Sequence, residues 1–124
     1  VYPVHINTYC LNIVCHREKE AGGILIRALE PLEGIELILK NLNKVNCDIH
    51  KLLNGPGKLC RALKINRELN GVDLVKGNII YITKGENINK KDIIRTPRIN
   101  IPYAGISKYW KWRFVIKDSK FCSH

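Results

Sequence analysis

Ile24-Leu25-Ile26-Arg27-Ala28-Leu29 places one arginine inside an otherwise apolar run, and Glu30-Pro31-Leu32-Glu33-Gly34 closes that run abruptly. A short apolar run ended by Pro and Gly reads as a buried strand, and a charge on such a strand is costly unless it is paired and hydrogen-bonded. Any fold of this chain must therefore give Arg27 a partner. One reading pairs it with Glu30 or Glu33 in the core. The other aims it into a site, where it holds a phosphate, a carboxylate or a water.

The rest of the chain supplies elements of both kinds. Residues 1–15 read as two strands joined near Ile6-Asn7-Thr8, with Cys10, Asn12 and Val14 on one face of the second. His16 to Gly23, which includes Glu18 and Glu20, is charged and then Gly-rich, a surface loop. Past Pro31, the residues Ile35, Ile38, Leu39, Leu42 and Val45 fall at helical spacing, and Glu33 and Glu36 are expected in the first turn, where the helix dipole favours acids. Asn54-Gly55-Pro56 starts a second helix with Pro at its first position and Leu59 and Leu63 on its buried stripe. Asn70-Gly71 is a turn; residues 79–83, 92–101 and 112–117 read as strands, the middle one interrupted at Pro97, the last presenting Trp112, Phe114 and Ile116 to a core. Strands outnumber helices and several are sequential neighbours. The expected fold is α+β: a largely antiparallel curved sheet with a few flanking helices, in one domain.

With 124 residues, 45% of them apolar, the chain can bury a hydrophobic core. No apolar run has the length of a membrane span and nothing reads as a signal peptide, so the expectation is an intracellular, membrane-free protein. The net charge of +10 is sided. Residues 1–50 carry five Lys/Arg against six Asp/Glu, a net of −1, and residues 51–124 carry sixteen against five, a net of +11. Such a sided excess is the footprint of a polyanionic partner, although basic RNA-binding modules share it. Five scattered cysteines include no CxxC pair. Cys47-Asp48-Ile49-His50 has ligand-like spacing without a second pair, so reduced cysteines filling core space are expected rather than a metal site. The chain has no Met and Val1 opens inside an expected strand, which reads as a domain, residues 1–124, truncated at its N-terminus.

Three blocks resemble one family. Leu25 to Gly34 resembles the stretch LLRALEPLEG of the alkyladenine (3-methyladenine) DNA glycosylases. Asn54 to Cys60, followed by Ala62-Leu63 and Ile65-Asn66, is similar to that family's GPxKLC-x-AL-x-I segment, and Trp112 to Lys117 with Phe121 resembles its closing strand and tail. Tyr2, Cys10 and Asn12 match as well, so the resemblance is colinear over nearly the whole chain.

The resemblance gives the polar intruders roles. Tyr2 matches a tyrosine that stacks on the flipped base, as a cationic alkylated ring favours; the reading from the residue alone is a core tyrosine with its hydroxyl at the surface. Asn12 matches the asparagine crowded by the 2-amino group of guanine, a filter among purines, where the residue alone reads as an asparagine satisfying backbone groups. His5 stands where the family has an intercalating tyrosine, a departure that leaves a smaller wedge. Asn7 and Thr8 are candidate groove contacts. Lys58, beside Gly55 and Gly57 at a helix start, matches a lysine that approaches the DNA backbone. Trp110-Lys111-Trp112-Arg113 mixes aromatics and cations as single-strand binders do, but its alternation favours packing. Arg27 would orient the catalytic glutamate and its water or hold the flipped nucleotide's phosphate.

In the family that glutamate, a pocket histidine and a second tyrosine lie upstream of the segment matching Val1. The resemblance thus implies a base-excision repair glycosylase that flips an alkylated or deaminated purine out of double-stranded DNA and hydrolyses its N-glycosidic bond, without cofactor, acting as a monomer at genomic DNA, in the nucleus of a eukaryote or the cytoplasm of a bacterium. The chain by itself is expected to be inactive. The alternative from the residues is a non-catalytic basic nucleic-acid-binding module.

Overall fold

The computed structural model describes residues 1–17 and 19–122; Glu18, assigned above to the surface loop, lies outside the described residues. Two compact units form, Val1–Ile82 with Phe121 and Cys122, and Thr83–Lys120. The expected α+β class holds: two α-helices accompany strands whose pairings are all antiparallel. The strands pair two by two, in three ribbons.

In the first unit, strands β1 (Tyr2–His5) and β2 (Thr8–Cys10) form a hairpin, with Tyr2 opposite Cys10 and His5 opposite Thr8. The expected long second strand breaks at Leu11. Its continuation, β3 (Asn12–Val14), changes partner and pairs with β4 (Gly23–Leu25), Asn12 opposite Leu25 and Val14 opposite Gly23. The apolar run is therefore a strand only over its first part. From Ile26 onward the backbone leaves the ladder, its Ile26 amide donating to the Leu11 carbonyl at 3.0 Å and its Leu29 amide to Leu53 at 3.2 Å. Arg27 is half-buried at this exit rather than sealed in a core, and no polar or charged residue among those described is fully buried. The demand for a fully desolvated ion pair disappears with the strand.

Helix α1 (Ile35–Asn41) begins after Gly34, whose φ of +70 is the left-handed conformation that glycine adopts without strain. Glu33 precedes the cap, so only Glu36 occupies the first turn. Ile38 is buried, whereas Val45, beyond the helix end, is fully exposed and does not extend the stripe. Helix α2 (Pro56–Ala62) starts with Pro in its first turn as its sequence dictates. Leu59 and Cys60 are buried on it; Leu63, at its C-cap, turns out to solvent. The Asn41 side-chain amide donates to the Ala62 carbonyl at 2.8 Å and ties the two helices together.

Leu52, Leu53, Leu59, Cys60, Ala62, Ile65 and Ile38 make the core, with Tyr9, Leu11, Ile26 and Leu29 packed against it. A fully buried leucine contributes about 1.5–3 kcal/mol. The free cysteines Cys10 and Cys60 are buried there as small apolar residues. Burial pushes the Cys60 thiol above its ordinary value, and Cys10 pushes it the same way. Among the described residues, no helix is long and apolar enough to cross a membrane.

The second unit is built on β5 (Ile93–Thr96) and β6 (Arg113–Ile116), with Ile93 opposite Ile116 and Arg95 opposite Phe114. β5 stops before Pro97, which has no amide to donate. Residues 79–83 form no strand. The alternation in residues 112–117 is present but with the opposite phase to the expected one: Arg113 and Val115 are half-buried, while Trp112, Phe114 and Ile116 are exposed. The ring faces take cations instead, with the Arg95 guanidinium 5.2 Å from the Phe114 centroid and that of Arg98 5.2 Å from Trp112.

Candidate functional site

The β1–β2 hairpin carries four of the residues singled out by sequence. Pro3 cannot donate to a ladder, and the register shifts between Pro3 and His5; a bulge of this kind bends a strand and re-aims its side chains. Tyr2 is exposed opposite the buried Cys10, and His5 is exposed beside the tip. Ile6 and Asn7 make the tip, Asn7 with φ +58, a left-handed conformation that asparagine tolerates better than most residues. Thr8 faces inward: a Cβ built on Gly57 would lie 2.7 Å from the Thr8 methyl, so hairpin and α2 meet at this glycine. Sequence reasoning missed Ile6, 93% exposed between His5 and Asn7. Its signal was an apolar residue in a turn segment, where solubility favours a polar one.

Asn12 lies on the other ribbon, on the wall of a cleft of about 560 Å³ lined also by Leu11, Ile13, Leu69, Val72, Asp73 and Ile80. Pockets for small organic groups have about this size and apolar character. Asn12 is half-buried, and its amide group lies against Gly23. Asp73 brings a carboxylate to the same wall, but one oxygen accepts the amides of Val75 at 2.8 Å and Lys76 at 3.0 Å. The Lys76 and Val75 bonds hold its pKa below the ordinary carboxylate value. A carboxylate stabilised as the anion in this way is a poor proton acceptor. Sequence reasoning missed Asp73, although Asp followed by Val-Lys two residues on is a side-chain-to-backbone turn pattern.

Tyr2, His5, Asn7, Arg27 and Lys58 do not line this cleft. Lys58 is on α2, where its ammonium donates to the Lys51 carbonyl at 2.9 Å and to Asn54 Oδ1 at 2.6 Å. These bonds fasten the helix to the turn before it. Two of its three protons are thereby engaged, and one remains for an anion. Near Cys47, the His50 ring meets Phe121 edge-on at 4.7 Å, a packing contact. Among the described residues no group of three or more His, Cys, Asp or Glu is assembled that could hold a metal ion.

The sequence pattern of the methylpurine-DNA glycosylases matches residues 1–120, and the chain belongs to that family of DNA glycosylases. Among its relatives are proteins that carry the provisional name 3-methyladenine DNA glycosylase, from Clostridium perfringens (strain 13 / Type A) and Desulfitobacterium hafniense (strain Y51). They are 40% and 42% identical to this chain over 131 residues, covering 99% of it. A Clostridium acetobutylicum relative of the same name is 41% identical over 129 residues. The chain spans 61–63% of the length of these three relatives.

Proposed function

We propose that this chain supplies part of the base pocket and of the DNA-contacting surface of a base-excision repair glycosylase, which flips an alkylated or deaminated purine from duplex DNA and hydrolyses its N-glycosidic bond. The observation that supports this most is the family match over residues 1–120, in a chain that sets Asn12 on the wall of a cleft. In this reading Asn12 meets the 2-position of the purine, where guanine alone carries an amino group, and Tyr2, on the neighbouring ribbon and outside the cleft, stacks on the extruded base once DNA is bound. His5 with Asn7 and Ile6 at the hairpin tip fills the space the base leaves, while Thr8, turned inward against Gly57, seats the hairpin on α2. Arg27 steadies the catalytic glutamate and its water or the flipped phosphate. Residues 1–124 then form part of one glycosylase domain that acts as a monomer on genomic DNA.

Asn12→Gly tests the pocket. In the chain extended at its N-terminus by the family's segment bearing the catalytic glutamate, this variant is expected to raise excision of guanine relative to hypoxanthine by about tenfold or more, the scale of one pocket contact. An unchanged ratio in a folded variant would leave Asn12 a structural residue only.

The basic second part of the chain is expected to make DNA binding steeply salt-dependent. Lys58→Ala should lower the log–log salt slope by about one unit if its third proton meets a phosphate. It should also cost about 1–2 kcal/mol in urea unfolding, because the two bonds to Lys51 and Asn54 are lost. A stability loss with an unchanged slope would confine Lys58 to the fold.

A non-catalytic nucleic-acid-binding module remains the second reading, favoured by the exposed Trp112 and Phe114 with arginines over their faces. Excision of alkylated purine by the extended chain separates the two.

A further inference from the structure

Gly23 is the residue over which the Asn12 side chain lies. The two stand on neighbouring strands of one ribbon, Asn12 opposite Leu25 and Val14 opposite Gly23, so residues 12, 14, 23 and 25 share a face. A Cβ at Gly23 would come 2.5 Å from Asn12 Nδ2, 3.1 Å from Oδ1 and 3.2 Å from Cγ. All three distances are shorter than an ordinary van der Waals contact, and all three belong to one amide group. That group therefore occupies the space a side chain at position 23 would take. It is recessed against β4 by the absence of a single methyl group.

We infer that Gly23 is a specificity-setting residue: by letting the Asn12 amide sink against β4, it leaves more room above the amide than any other residue would, and so relaxes exclusion of the guanine 2-amino group. This rests on the reading of Asn12 as a purine filter. Optimal separation between non-bonded heavy atoms is about 3.5–4.0 Å, so an alanine at position 23 lifts the amide by about 1 Å. The end of a short side chain makes that move by rotation about its own bonds, without displacing backbone. The raised amide narrows the space at the purine 2-position. Gly23 touches no substrate in this account; it acts through Asn12 as a positioning residue.

Three variants of the 124-residue chain, Gly23→Ala, Asn12→Gly and the double variant, test the inference through two measurements. The first is the nuclear magnetic resonance of the Asn12 side-chain amide in ¹⁵N-labelled protein. In the wild-type chain its protons should show a nuclear Overhauser effect to the Gly23 α-protons, and Gly23→Ala should shift the amide resonances and replace that contact by one to the alanine methyl. The second is binding to duplexes that differ only by hypoxanthine or guanine at one site. Gly23→Ala should raise the preference for hypoxanthine about tenfold, the scale of a lost or gained pocket contact. In the Asn12→Gly background the same substitution should change the preference by less than about twofold. Unmoved amide resonances, or an equal change of preference with and without the Asn12 amide, would overturn the role of Gly23. If the resonances move and Gly23→Ala changes nothing, while Asn12→Gly alters the preference, the filter stands and Gly23 does not set it. If the resonances move and no variant alters the preference, the failure lies in the pocket reading itself, and the specificity role falls with it.

Discussion

The 124-residue chain is expected to release no 3-methyladenine from duplex DNA, while the chain extended by the family's glutamate-bearing segment releases it readily. Hydrolysis needs a water deprotonated as it attacks the sugar carbon, and general-base assistance is typically worth ~10²–10⁴-fold. The carboxylate on the cleft wall and those flanking the apolar run are unsuited to give it. Asp73, on the cleft wall beside Asn12, is committed to two backbone amides that depress its pKa. Glu36 serves the first turn of α1, and Glu20, Glu30 and Glu33 are exposed and do not line the cleft of Asn12. Arg27→Ala in the extended chain should lower activity by less than loss of the glutamate does, since an arginine positions the reacting groups but transfers no proton. The assay is release of radiolabelled base under single-turnover conditions. Robust release by the unextended chain, abolished by Asp73→Asn, would move the catalytic base to Asp73.

Leu59→Ala should unfold the first unit more readily than any surface change, lowering its stability by about 2–5 kcal/mol. Leu59 is fully buried at the centre of the core formed by both helices and the loop of Leu52 and Leu53. The cavity left behind lies on α2, two residues beyond Gly57, the glycine that Thr8 of the hairpin meets. Small domains are stable by about 5–15 kcal/mol in total, so this one truncation removes a large share. Urea unfolding followed by helical circular dichroism measures it, because both α-helices belong to the first unit. DNA binding should weaken in parallel as Tyr2 and His5 lose their platform. A loss below about 1 kcal/mol would mean that the cavity collapses or that α2 does not carry the core.

Local chemistry is what the amino-acid order makes most legible. The Gly55-Pro56 start of α2, the antiparallel pairing around residues 1–15, the end of β5 at Pro97 and the turn at Asn70-Gly71 all follow from residues whose backbone preferences are strong and whose effects reach only a few positions. The family membership is legible too, because colinear blocks encode it without any need to know contacts.

Depth is not legible in the same way. The run from Ile24 to Leu29 looks like one strand, yet the ladder ends at Leu25 and Arg27 is only half-buried, because the chain has to cross from β3 toward Leu53. Trp112, Phe114 and Ile116 alternate as core residues do, but alternation gives two faces without saying which is inward; here Arg95 and Arg98 cover the rings. The sites divide along the same line. Sequence by itself determined which residue types are present and their family, since these depend on order along the chain. Only the tertiary structure decided that Asn12 shares a cleft with Asp73 and leans on Gly23, and that Lys58 is tied to Lys51 and Asn54. Contacts of that kind join residues far apart in sequence or fix the rotamer of a near one, and both are settled by packing, which local preferences do not encode.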